Sequence, residues 1–166
     1  MQPTPASTSL TAHLTSLATP RPYAAATQHP FLTAAGTGTL PLARLSCYLA
    51  QDRIYAAHGY PRLIGHLLAR IPFAASDGPA SDAEARHTAL VGVLADALQG
   101  VHREVALFAE IVGAYGMPPL GAWRERKATR DYTAEMARVG ACATLEEGLV
   151  FLWAMEHVSI TCSRGS

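Results

Sequence analysis

The chain is expected to be an all-α protein, and three observations predict it. Apolar residues recur at helical spacing over long stretches, as in Leu42, Leu45, Leu49, Ile54, Leu63, Ile64, Leu67, Leu68 and Ile71. No stretch alternates apolar and polar residues as a half-buried strand would. Glycine, proline and capping pairs cut the chain into helix-sized pieces.

The opening residues 1–21, rich in Thr, Ser, Pro and Ala, read as a loose tail with a short helix around residues 10–17. A short helix is expected over residues 23–35, closed by Gly36-Thr37-Gly38. Thr39 is then an expected N-cap, Leu40 a staple residue, and Pro41 a first-turn proline for the long apolar run. Gly59 and Pro61 sit inside that run. A proline there removes a backbone donor, so a kink or break is expected near Gly59. Residues 72–79 read as a loop. Ser81 and Glu84 form a capping box for a helix reaching about Tyr115, with Leu90, Val91, Leu94, Leu98, Val101, Val105, Phe108 and Val112 as its inner stripe. Gly116 and Pro118-Pro119 end it. A helix over residues 129–140 follows, and a last one starts at the Thr144/Glu147 capping box. Residues 159–166, SITCSRGS, have turn-like composition and read as an irregular tail.

Bulk composition narrows the function classes. The 166 residues suit one domain, and 49% of them are hydrophobic, enough for a sizeable core. Thirteen basic residues balance thirteen acidic ones, so there is no electrostatic footprint for nucleic acid. Only 16% of residues are charged, which suggests surface covered by another subunit. The three cysteines, Cys47, Cys142 and Cys162, are too scattered for a disulfide framework, and a cytoplasmic setting is expected. The N-terminus lacks the basic and apolar regions of a secretory signal, and no apolar run is long enough to span a membrane.

Chemistry concentrates in SCYLAQDRIY, residues 46–55. On a helix Tyr48, Asp52 and Tyr55 share one face, with Gln51 beside it. An aspartate between two tyrosines can accept hydrogen bonds from a flat heterocycle that the rings hold. Desolvated by them, it could also serve as acid or base. Spacing alone favours the plainer arrangement, an exposed aspartate beside two tyrosines with hydroxyls in water. Tyr132 and Glu135 in DYTAEM read, by themselves, as a surface helix. Glu156 follows a strongly apolar run with Leu152, Trp153 and Ile160 as helical neighbours, so its carboxylate is expected near the buried stripe. His102 and Glu104 fit no metal-binding pattern, Glu156 and His157 point to different faces, and His58 and His66 lack a completing carboxylate. No metal and no cofactor is expected. GxSxG, GxGxxG and P-loop patterns do not occur.

Three motifs in register resemble the opening of the TenA-like thiaminase II family: His29-Pro30-Phe31, Gly38-Thr39-Leu40-Pro41, and Tyr48-Leu49-Ala50-Gln51-Asp52-Arg53-Ile54-Tyr55. Tyr132-Thr133 with Met136, and LEEGLVFLWAMEHV, are similar to the family's next pocket helices. The resemblance covers residues 22–158. It implies a haem-oxygenase-like helical bundle holding an aminopyrimidine rather than haem, and hydrolysis of a C–N bond in an aminopyrimidine or in thiamine. Carried over by position, Asp52 would bind the pyrimidine nitrogens, with Tyr55, Tyr132 and Tyr48 lining the ring. Many members carry a nucleophilic cysteine on the helix that here holds Glu156, so Glu156 and Asp52 would be the catalytic carboxylates. The family usually continues with further helices and a late acidic residue, so the resemblance implies a chain missing its last helices. A full-length form would be a homo-oligomer. A non-catalytic pyrimidine-binding module is the alternative that this departure favours.

Overall fold

The computed structural model describes residues 9–18 and 20–164, with side chains described as far as residue 158. Among the described residues there are helices and no strands, in agreement with the expected class. The chain divides into two compact units, one made of residues 1–40 and 154–166, the other of residues 41–153.

In the first unit, α1 (Leu10–Ser16) is capped by Ser9, whose hydroxyl accepts from the Ala12 amide. The helix expected over residues 23–35 is two, α2 (Ala24–Thr27) and α3 (Pro30–Gly36). Pro30 explains the division, because it forces His29 before it out of the helical region, to ψ 138°. His29 becomes the N-cap of α3, its Nδ1 accepting from the Phe31 amide at 3.1 Å. Gly38 takes φ +68°, a left-handed turn that glycine enters at little cost. Thr39 does not cap the next helix as expected; its hydroxyl donates back to the Ala34 carbonyl at 3.3 Å. The far end of α8 (Leu145–Arg164) belongs to the same unit. There Tyr23 stacks on His157, ring centres 5.3 Å apart, and donates its hydroxyl to the His157 carbonyl.

The helix of α8 runs on through residues expected to be irregular. No proline or glycine interrupts it before Gly165, and extending a formed helix costs far less than starting one, so poor helix formers such as Ser, Thr and Cys are carried along.

The second unit is built around a rod. Helix α4 (Leu42–Ile54) passes through a π-helical turn (Tyr55–Gly59) into α5 (Tyr60–Ala69) without a break. Pro41 is the N-cap residue of α4 rather than a first-turn residue. The kink expected at Gly59 and Pro61 takes the form of this wider turn, which absorbs the ladder donor that Pro61 lacks. Helix α6 (Asp82–Ala114) and helix α7 (Lys127–Cys142) pack on the rod. The core is Leu63, Ile64 and Leu67 of α5 against Leu94, Val101 and Phe108 of α6 and Met136 and Val139 of α7. Each such side chain withdrawn from water stabilises the fold by about 1.5–3 kcal/mol.

Three glycines let the helices meet closely. A Cβ on Gly59 would lie 3.0 Å from Met136 Sδ, one on Gly140 2.9 Å from His66, and one on Gly148 2.4 Å from Leu67. The Arg70 guanidinium donates to the Gly140 carbonyl across the same α5–α7 contact. Two of the three predicted caps are present. Ser81 accepts from the Glu84 amide, and Thr144 and Glu147 exchange both bonds of a capping box, at 3.2 and 2.8 Å. No described helix is long and apolar enough to cross a membrane.

Candidate functional site

The rod's α4 face carries the candidate residues Tyr48, Asp52 and Tyr55. Ser46, Leu49 and Ala50 are buried, which turns Tyr48, Asp52 and Tyr55 toward the partly open side of the helix. Tyr48 is exposed and donates its phenol to the Asp52 carboxylate. Asp52 is partly buried, and its carboxyl is pushed up from 3.8 to about 6. Burial is the larger cause. The Glu104 carboxylate of α6 pushes the same way, while the Tyr48 hydrogen bond pulls back. Both protonation states of Asp52 are therefore accessible near neutral pH, which an ordinary aspartate does not offer.

Tyr55, the first residue of the π turn, meets Tyr132 of α7 with ring centres 5.5 Å apart and planes inclined by 27°. Tyr60 stands edge-on to Tyr55 at 5.9 Å, and Phe151 of α8 lies 6.4 Å from Tyr132. The four rings form one aromatic cluster, whose Tyr55 stands three residues after Asp52 along the rod. At 5.5 Å the Tyr55 and Tyr132 rings touch in an offset stack, which leaves no gap between them for a third ring.

The loop before α7 is fastened to α4 by two polar residues. Ser46, fully buried, donates to the Pro118 carbonyl at 3.0 Å and accepts from the Trp123 indole at 2.8 Å. The Gln51 oxygen accepts from the Arg126 amide at 2.7 Å and the Thr129 hydroxyl at 2.8 Å, while its nitrogen donates to the Arg124 carbonyl at 3.1 Å. Arg126 is the N-cap position of α7 and offers no side-chain cap of its own. Gln51 supplies that cap from another helix, and so sets where Tyr132 stands.

The remaining candidates fall elsewhere. Glu135 pairs with Arg138 through two bonds of 2.6 and 2.8 Å on the exposed face of α7, which holds its carboxyl below the usual range. Glu156 is exposed rather than set against the buried stripe: Gly148, Leu152 and Met155 define the buried line of α8, and Glu156 lies one helical step past it. Glu156 belongs to the first unit and Asp52 to the second. His29 Nδ1 serves as a helix cap. Cys47 is half-buried and Cys142 exposed, and the Cys162 side chain lies outside those described. Among the described residues no group of three His, Cys, Asp or Glu side chains is placed to hold a metal ion.

Sequence reasoning missed Glu104, Tyr60 and Phe151. Glu104 was weighed only for metal spacing, although it falls one helical turn beyond the buried Val101 on α6. Tyr60 sits between Gly59 and Pro61, and its edge-on meeting with Tyr55 depends on the wider π turn, which residue spacing does not encode.

Comparison with known proteins bears on the whole arrangement. Residues 18–161 match the family model described as the TENA/THI-4/PQQC family. No curated protein and no solved structure matches the chain. The match covers the α4 motif, the aromatic residues of α7 and α8, and the helical, haem-oxygenase-like fold class that goes with the family. The chain belongs to the TENA/THI-4/PQQC family.

Proposed function

We propose that the chain binds a flat aminopyrimidine at Asp52 and the tyrosine pair and hydrolyses a C–N bond of that compound or of thiamine. Family membership supports the coarser part, a thiamine- or pyrimidine-related function. The observation that carries the finer part is the Asp52 carboxyl, held by Tyr48 and raised to about 6, one helical turn before Tyr55, which stacks on Tyr132. As a carboxylate Asp52 accepts hydrogen bonds from an exocyclic amine; as the acid it donates to a ring nitrogen. Protonating that nitrogen draws electrons from the adjacent carbon and eases attack by water. The water oxygen then bonds to the carbon that carries the leaving nitrogen, the C–N bond breaks, and the proton lost by the water passes to the departing amine or, where an uncharged thiazole leaves, to solvent. Tyr55 and Tyr132 supply the apolar surface for the ring, and no cofactor enters the scheme.

The exposed position of Glu156 favours a second reading, in which the chain binds the pyrimidine without turning it over. Calorimetric titration with 4-amino-5-aminomethyl-2-methylpyrimidine, followed by mass spectrometry of the incubated ligand, separates the two. Saturable binding that Asp52→Ala abolishes, with hydroxypyrimidine product, supports hydrolysis. Binding with no product supports the second reading, and absence of binding at millimolar ligand refutes both.

A further inference from the structure

A cavity of about 380 Å³ lies between the π turn and α5 on one side and α7 on the other. Its lining separates by chemistry. Ile54, Gly59, Ala134 and Ala137 contribute apolar and small groups to the lining, while His58, Arg62, Arg130 and Glu125 contribute polar and charged ones. Its construction follows from the sequence. Arg130, Ala134 and Ala137 repeat at helical spacing on one face of α7, and the short alanine side chains leave the trough unfilled. Gly59 adds no side chain of its own on the opposite wall, where a Cβ would lie 3.0 Å from the Met136 sulfur.

Among the described residues neither Arg62 nor Arg130 takes part in an ion pair, whereas Lys127 pairs with Asp131 and Arg138 with Glu135. Arg130 is held at the cavity's edge by a bond from its guanidinium to the Glu125 carbonyl at 3.3 Å, which leaves its other donors available. Two guanidinium groups from two helices present the forked donors suited to a phosphate's oxygens. Glu125 adds a lone carboxylate to the same wall, which repels a bare anion and attracts an ammonium group. The volume suits a small molecule and not a macromolecule.

We infer that this cavity binds a small phosphomonoester that also carries an amino group, the phosphate lying between Arg62 and Arg130 and the amine facing Glu125. The site shares no lining residue with the Asp52 face and does not depend on the function proposed there.

Calorimetric titration of the full chain with 3-aminopropyl phosphate, inorganic phosphate and propylamine provides the test. The expected result is saturable binding of 3-aminopropyl phosphate at least tenfold tighter than of either fragment, lost in the Arg62→Gln/Arg130→Gln double variant. Arg62 and Arg130 are exposed and Glu125 is half-buried, and the circular dichroism melt of each variant is expected to match the parent. Glu125→Gln is expected to tighten inorganic phosphate and weaken 3-aminopropyl phosphate, reversing the preference. Failure to bind, equal binding by the double variant, or no change in preference on Glu125→Gln overturns the proposal. So does co-sedimentation with phosphatidylethanolamine vesicles without binding of the soluble ligand, since that assigns the arginines to a lipid surface.

Discussion

Tyr55 and Tyr132, from two helices distant in the chain, stack with their ring centres 5.5 Å apart and only 27° between their planes. The π turn presents the first ring, and a helix whose start is capped by Gln51 presents the second. The stack is thus a consequence of two backbone devices, and both can be tested.

Gln51→Ala removes three hydrogen bonds that fasten the Arg124, Arg126 and Thr129 region to α4. Urea denaturation is expected to show a loss of about 2–3 kcal/mol, since each bond is worth roughly 1 kcal/mol and the helix end is left without its cap. Gln51→Glu keeps the two accepted bonds and is expected to lose less than half as much. Equal losses would show that the Arg124 bond carries the effect.

Asp52 sets the pH dependence. Its carboxyl binds a proton more tightly in the folded chain, about 6 against 3.8, so stability falls as pH rises between about 4 and 6. Asp52→Asn is accordingly expected to stabilise the chain at pH 7.5, by up to about 3 kcal/mol, and to leave stability unchanged below about pH 2.5, where the aspartate is protonated in both states. Thermal melts of both proteins across that range measure the difference.

Glu104→Gln removes the like charge that adds to the rise at Asp52. The titration midpoint of Asp52, followed by carbon NMR of the carboxyl, is expected to move down yet stay above the ordinary aspartate value. Burial is the larger cause and the substitution leaves it in place.

The glycines divide into two sets with opposite expected signs. Gly148→Ala places a methyl 2.4 Å from the fully buried Leu67, and a melt is expected to show destabilisation of about 1–3 kcal/mol despite alanine's better helix propensity. Gly92 and Gly100 of α6 have open space where a Cβ would go. Alanine at either is expected to stabilise by about 0.5–1 kcal/mol.

The caps were legible in the sequence because a capping box is a contact between residues three apart. Ser81 with Glu84, and Thr144 with Glu147, depend on nothing outside the turn. Helical periodicity likewise marked Leu94, Val101 and Phe108 as the inner line of α6. Reading failed where a local signal had a distant competitor. Thr39 has the chemistry of an N-cap, yet the Ala34 carbonyl takes its hydroxyl, and Pro41 leaves α4 to begin one residue later. Glu156 reads as partly buried from its apolar neighbours, but the buried line of α8 passes it by one helical step.

The same division holds for the site. By itself the sequence determined the helical class, the shared face of Tyr48, Asp52 and Tyr55, and the motifs by which the family is known, since all of these are set by spacing along one helix or by residue order. Only the tertiary structure decided that Asp52 meets Glu104, that Tyr55 meets Tyr132, and that Arg62 and Arg130 border one cavity. Those are encounters between helices. They depend on how closely the backbones approach at Gly59, Gly140 and Gly148, and a periodic pattern carries no record of that distance.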